Sequence, residues 1–471
     1  MALVTVAWLF GSVWVTTTSG APLTMFAQAL HLSRFEFGVL SALPFLASLL
    51  SLPASVLIER TGARKLIFQV GLYGQRLLWF PIALVPIWLL SQYGGKAQGL
   101  AIGLFLVLVL LMHCGQAVGG PAWMSWMADI VPDRVRGRYF SRRRQLGIFS
   151  ALPAALLVGW VLDRYASGGN ANDATVMSVC AKIFIVAAIF GLLDIVLFHW
   201  VPAVPKAPKR GAHLFQALSR PLRDRNFLWF AGFVATLTFA VSFMGTFVTL
   251  YVIEEAKVSG KGTQLMLLVA PLAAQLLVLP LWGRAVDRMG KKPVLKLSTL
   301  GFAPVAVGWC FMHSGNVWLG YVLSALGAAF WTGVEIANFN FVMQMAGGGD
   351  DDTANNRGTS YVAVNAVIVN IAGCMGGLAS GAIAELMKDT TFQPFAFIRA
   401  LNYYDVLFLL SFALRVMAVV VFLPHLHEPT AKRGREALRF MTINVYSNLY
   451  NLVLQPVRLV RSGGKGKRKD D

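Results

Sequence analysis

Apolar residues run along the chain in long blocks divided by short polar stretches. A helix needs about 20 apolar residues to cross a bilayer. Blocks of that order fall at 2–30, 36–57, 66–90, 99–128, 145–166 and 177–201, then at 227–253, 263–283, 294–314, 316–346, 359–388 and 401–425. Proline and glycine recur inside them, as neighbouring helices in a membrane tolerate. The pattern predicts an all-α integral membrane protein with twelve transmembrane helices in two six-helix halves. Residues 1–201 are the first bundle, 202–226 a polar, proline-bearing linker, and 227–425 the second bundle. Residues 426–471 are a basic tail in which 435–460 has roughly helical spacing. The tail reads either as a helix on an anionic leaflet or as a solvated segment. No base precedes Arg34, so the first block is expected to be a retained helix rather than a signal peptide; whether the true N-terminus lies upstream stays open.

Composition agrees with the pattern. Of 471 residues 56% are hydrophobic and 13% charged, with mean hydropathy +0.62; soluble domains carry about 25% charge. The net charge of +19 does not imply a nucleic-acid partner, because the bases lie in short clusters between apolar blocks. One side collects Arg60, Arg64 and Lys65, then Arg134–Arg144, then Lys206–Arg225, then Arg284–Lys292. The positive-inside rule makes that side cytoplasmic, with both termini on it. Cys114, Cys180, Cys310 and Cys374 have neither metal nor redox spacing and read as packing residues. With no metal cluster, nucleophile–base set or phosphate loop in view, neither an enzyme nor a bound cofactor is expected.

The halves repeat one another. Pro44 and Pro53 lie nine apart, as do Pro271 and Pro280; Asp129 precedes Arg136-Gly137 by seven, and Asp350 precedes Arg357-Gly358 by seven. Two loops share an order of acid, base, glycine and further bases: Glu59-Arg60-Thr61-Gly62-Ala63-Arg64-Lys65 and Gly283-Arg284-Ala285-Val286-Asp287-Arg288-Met289-Gly290-Lys291-Lys292. These loops resemble those between helices two and three, and eight and nine, of the major facilitator superfamily. Ser55 and Glu59 depart from the family's glycine and aspartate in the first copy. Segments such as 127–132 and 333–340 look like bacterial members without a clear substrate signature. The resemblance implies a cytoplasmic gate, with Asp129 and Arg136-Gly137 on one half and Arg357 on the other. Helices five and eleven are expected to begin just after Arg138 and Arg357, offering N-termini that attract carboxylates. Glu59 would then pair near Arg357, and Asp287 near Arg136, with Arg60 and Arg288 beside them. Gly283 would permit close helix approach, while Gly62 and Gly290 would end helices.

Ionisable groups inside membrane helices are functional candidates, because burying them is costly. Glu335 lies near mid-helix, with Trp331 and Asn338 four and three residues away on one face. The family resemblance implies that helices one, four, seven and ten border the central path. A desolvated Glu335 would take up protons near neutral pH; the other reading is a structural hydrogen bond. His113 and Gln116 on helix four and Asn365 on helix eleven extend the polar set. The hydroxyls of 16–19 either line the path or satisfy their own helix. Asp194 and Arg415 hold matching places in helices six and twelve, and with Arg76 are read as structural intramembrane charges, Arg76 being also placed to reach the cavity or a headgroup. The expectation is a secondary transporter of the cytoplasmic membrane for a small organic solute, energised by a proton gradient and monomeric in the lipid bilayer. The alternative is a non-transporting receptor or partner of a membrane complex with the same fold.

Overall fold

The structure, a computed structural model, describes residues 1–166, 172–204, 221–347, 354–391 and 401–428, leaving out the side chains of 133–138, 141, 346–347 and 354–360. Helices α1 (Ala2–Ala29) and α2 (Arg34–Thr61) come first. Then α3 (Arg64–Leu77 with Trp79–Tyr93), α4 (Gln98–Ile130), α5 (Asp133–Tyr165) and α6 (Asp173–Leu197) complete one half. The other half holds α7 (Arg225–Glu254), α8 (Gly260–Met289) and α12 (Tyr403–His425). It also holds α9 (Lys291–Trp309), α10 (Trp318–Gly347) and α11 (Ala354–Met387). Ten stretches among the described residues are long and apolar enough to cross a membrane. One of them, Arg64–Ile130, turns at Gly94–Ala97 and contains both α3 and α4. The shorter α9 spans about 28 Å at 1.5 Å per residue. Large apolar side chains remain outward, among them Phe149, Val70 and Leu386, as a lipid-facing surface requires.

Several helices break where the sequence forces them to. The α1 axis is interrupted at Ser19-Gly20, with Gly20 at φ 73°. In α3 the break at Leu78 precedes Pro81, whose ring would meet the carbonyl of Leu77. A π-turn at Leu265–Val269 adjoins Pro271, and another at Ala418–Phe422 adjoins Pro424. Gly62 closes α2 in the left-handed region at φ 66°, and Gly290 separates α8 from α9 at φ 92°.

The apolar core has an informative shape. One large cluster draws on both halves, joining Phe26, Phe105 and Phe184 to Tyr251, Tyr404 and Phe408. Toward the basic loops it gives way to two separate clusters. One, around Phe68, Trp126 and Phe198, belongs to the first half; the other, around Phe227, Phe230 and Phe341, belongs to the second. The most extensive helix pairing, α2 on α11, also crosses between halves. There a Cβ on Gly38 would fall 2.4 Å from the Cα of Gly381, so only glycine allows this approach. Backbone contact of this kind holds helices together where lipid removes the hydrophobic drive.

Two expectations need correction. Helix α5 begins at Asp133, behind Pro132 at its N-cap, and α11 at Ala354. Arg136, Arg138 and Arg357 therefore lie inside their helices rather than ahead of them; at α5 the start is set beside Pro132, since proline suits a helix start. At Gly283 an added Cβ would meet nothing within 4 Å, so no close approach requires glycine there in this arrangement. The linker over 205–220, the acidic loop at Asp350 and the tail beyond 428 lie outside the described residues.

Candidate functional site

At the end away from the basic loops, polar ties cross between the halves. Arg34 Nη1 bonds Glu254 Oε1 at 2.9 Å. Gln28 donates to the same oxygen at 3.0 Å, and the Tyr404 hydroxyl donates to Glu254 Oε2 at 2.5 Å. Glu385 on α11 accepts from the backbone N–H groups of Arg34 and Phe35, at 2.9 and 3.3 Å, capping the start of α2. Asp163 on α5 accepts from the N–H of Lys261, at 3.1 Å, in the first turn of α8. A carboxylate from one half thus meets an orphan helix N-terminus of the other, twice. The signal was in the repeat. The spacing from Arg34 to Lys261 equals that from Pro44 to Pro271, and the spacing from Asp163 to Glu385 is one residue longer than that from Asp129 to Asp350. The sequence reading placed this physics at the basic end; the structure displays it at the opposite one.

At the basic end Arg144 Nη2 donates across to Gln275 Oε1 of α8, at 3.3 Å, while other basic residues bond within their own halves. Arg64 is buried, pairs with Asp129 and donates to the carbonyls of Ser125 and Val204. Lys65 Nζ donates to the carbonyls of His199 and Val201, at 2.9 and 2.8 Å. In the second half Lys292 Nζ reaches the carbonyls of Pro424 and Leu426, and Glu428 accepts from the N–H groups of Lys291 and Lys292. Asp129 therefore serves Arg64. Glu59, Arg60, Asp287 and Arg288 are exposed. The side chains of Arg136 and Arg357, their expected partners, lie outside the described residues, as does that of Gly137's neighbourhood.

Inside the first half a cavity of about 550 Å³ opens between α1, α3, α4 and α6, with Arg143 of α5 on its rim. His113 and Gln116 line it, as expected of a path, and so do Arg76 and Asp194. Arg76 Nη2 lies 3.4 Å from Asp194 Oδ2, its Nη1 donates to Gln75 Oε1 at 2.6 Å, and its guanidinium stacks 3.4 Å over Trp14. Both charges are buried. Glycine makes room for them: a Cβ at Gly11 would lie 2.6 Å from Asp194 Oδ2, and one at Gly191 2.5 Å from Arg76 Cδ. The hydroxyls of Thr16, Thr17, Thr18 and Ser19 bond back to carbonyls of α1, so they satisfy their own helix.

Trp331, Glu335, Asn338 and Asn365 lie in the other half, outside this cavity. Glu335 is exposed, not desolvated as expected, about 18 Å from the end of α10 at 1.5 Å per residue. A carboxylate at that depth is tolerated where water reaches it. Trp331 packs on Phe302, at 5.5 Å between ring centres. Asn338 Oδ1 and Asn365 Oδ1 are buried without a partner among the described residues. Arg415 is fully buried, donates to Phe302 O at 3.1 Å and stacks 3.9 Å over the Phe302 ring. Among the described residues no carboxylate pairs with it.

The sequence profile described as Major Facilitator Superfamily matches residues 3–377. Among solved structures, nucleoside transporter NupG is similar at TM-score 0.65 and 13% identity, over 90% of this chain and 98% of that one. A D-xylose-proton symporter is similar at 0.64 and 14%, over 92% and 98%. A bacterial homologue of the iron transporter ferroportin in an inward-facing state is similar at 0.62 and 12%, over 91% and 98%. No match was found among curated protein sequences.

Proposed function

Because the chain belongs to the major facilitator superfamily, we propose that it is a secondary active transporter that carries a small organic solute across the cytoplasmic membrane by alternating access. One observation carries this reading: the apolar core is shared by both halves at one end and divided at the other. With the basic loops cytoplasmic, this is the inward-facing state. The outer side is held shut by the two carboxylate caps and the Arg34–Glu254–Tyr404 cluster. In the opposite state Glu59 and Asp287 would take the equivalent part, meeting the N-termini of α11 and α5 beside Arg357 and Arg136. A proton gradient supplies the energy, and Glu335, exposed on α10 at mid-helix, is the group we assign to proton uptake.

Two reporter cysteines test alternating access without any solute. Ser41→Cys sits where α2 meets Gly245 of α7; Gly283→Cys sits in open space on α8. In a background lacking the native cysteines, the first is expected to resist a water-soluble maleimide and the second to react. Asp163→Asn should raise labelling at Ser41→Cys and lower it at Gly283→Cys. Rises at both sites together would exclude alternating access.

A further inference from the structure

The cavity within the first half has a specific chemical bias. Much of its wall is indole, from Trp8, Trp14, Trp79 and Trp123. Two cations and one carboxylate face it. Arg76 and Asp194 neutralise one another. Arg143 feels the Asp194 charge but makes no direct ion pair with it: its guanidinium lies 4.3 Å over Trp8 and 4.8 Å over Trp123, and among the described residues its Nε donates to the Val4 carbonyl, at 3.5 Å. Among the described residues no carboxylate lies within ion-pair distance of it. Two cations against one carboxylate leave the cavity lining one net positive charge, with the Arg143 guanidinium against two indole rings.

The hydrogen-bonding groups lean the same way. Trp14 Nε1, Trp79 Nε1 and Arg76 Nε are buried donors without partners, against one buried spare acceptor on the Asp194 carboxylate, Oδ1. Buried donors left unmade are costly, and these belong to side chains that line the cavity. The volume, about 550 Å³, falls in the range of small-molecule sites.

We propose that this cavity is the solute site of the transporter and that it takes an organic monoanion with a flat apolar body, such as an aromatic carboxylate. Arg143 supplies the counter-charge, and the indoles receive the ring. Asp194 excludes a second negative charge, because it already occupies the other cation. A neutral solute of the same shape forgoes the charge-assisted bond to Arg143. The inference rests on the transporter reading above, and it locates binding within one half rather than on α10.

The test uses the purified full chain in detergent and follows quenching of tryptophan fluorescence. The probes are 1-naphthoate, the neutral 1-naphthamide and naphthalene-1,4-dicarboxylate. Naphthoate should bind at least about tenfold more tightly than either, one decade being a modest difference for a charge-assisted contact. Arg143→Gln should bring naphthoate and naphthamide to within about twofold, while Arg143→Lys, which keeps the charge, retains the order of preference. Equal or tighter binding of the amide or the dianion overturns the proposal, as does failure of all three to bind, or a preference that survives Arg143→Gln. The wild-type order stands even where a variant fails to fold. The reporter cysteines respond without solute, so their reciprocal labelling with no naphthoate preference rejects this site and leaves the transporter reading intact. Loss of reciprocity rejects the transporter reading, whatever the binding order.

Discussion

Arg76 and Asp194 set the terms at the scale of single residues. Each is an ion buried in a membrane half, and each is tolerated because the other is 3.4 Å away. Breaking a buried pair by removing one charge costs about 3–5 kcal/mol, since the partner is left uncompensated. Asp194→Asn should therefore lower the melting temperature in detergent well beyond what a surface substitution does. Adding Arg76→Met, which removes the stranded cation, should recover most of the loss. If the double variant is no more stable than the single one, the pair is not what holds these residues in place. Arg415 shows another solution to the same problem: a buried guanidinium spread over the Phe302 ring and bonded to a carbonyl.

At the scale of elements, helix termini decide which end of the molecule is closed. The first N–H groups of a helix have no partner within it. Glu385 supplies one for α2 and Asp163 for α8, each from the opposite half. A capping bond is worth typically about 1 kcal/mol, or roughly fivefold in an equilibrium. Glu385→Gln and Asp163→Asn should each raise labelling of Ser41→Cys by about that factor, and the two should multiply when combined, because the sites lie in different helix pairs. A double variant no more reactive than either single one would mean that one cap alone bears the closure. Pro81, Pro271 and Pro424 act at this scale too, placing breaks and π-turns beside each proline.

For the whole molecule, the question is how proton uptake would bias two arrangements of rigid halves. A proton shifts the balance only if it binds one state better than the other. Glu335 is exposed in this structure, so any differential interaction must come from an arrangement in which α10 is covered. The ratio of labelling at Ser41→Cys to that at Gly283→Cys should consequently vary with pH, and Glu335→Gln should flatten the variation. A pH response that survives the substitution removes Glu335 from the coupling role. Asp194, which faces the cavity of the first half, is then the next group to test by the same ratio.

The twelve-helix architecture, the repeat and the basic faces were legible in the chain, because bilayer thickness and loop charge act on local sequence. Gly62 and Gly290 were legible for the same reason, each ending a helix through its own backbone. The partners of the polar groups were not. The bond from Asp129, a gate candidate, to Arg64 was not foreseen; Gly283, assigned to a close contact, meets nothing within 4 Å in this arrangement; Arg143 was read only as one base in a run and lies against two indoles at a cavity. Sequence spacing places residues on one helix face, but it does not say which other helix that face meets. Those meetings depend on how two halves pack and at which end they part, and so only the tertiary structure decided them.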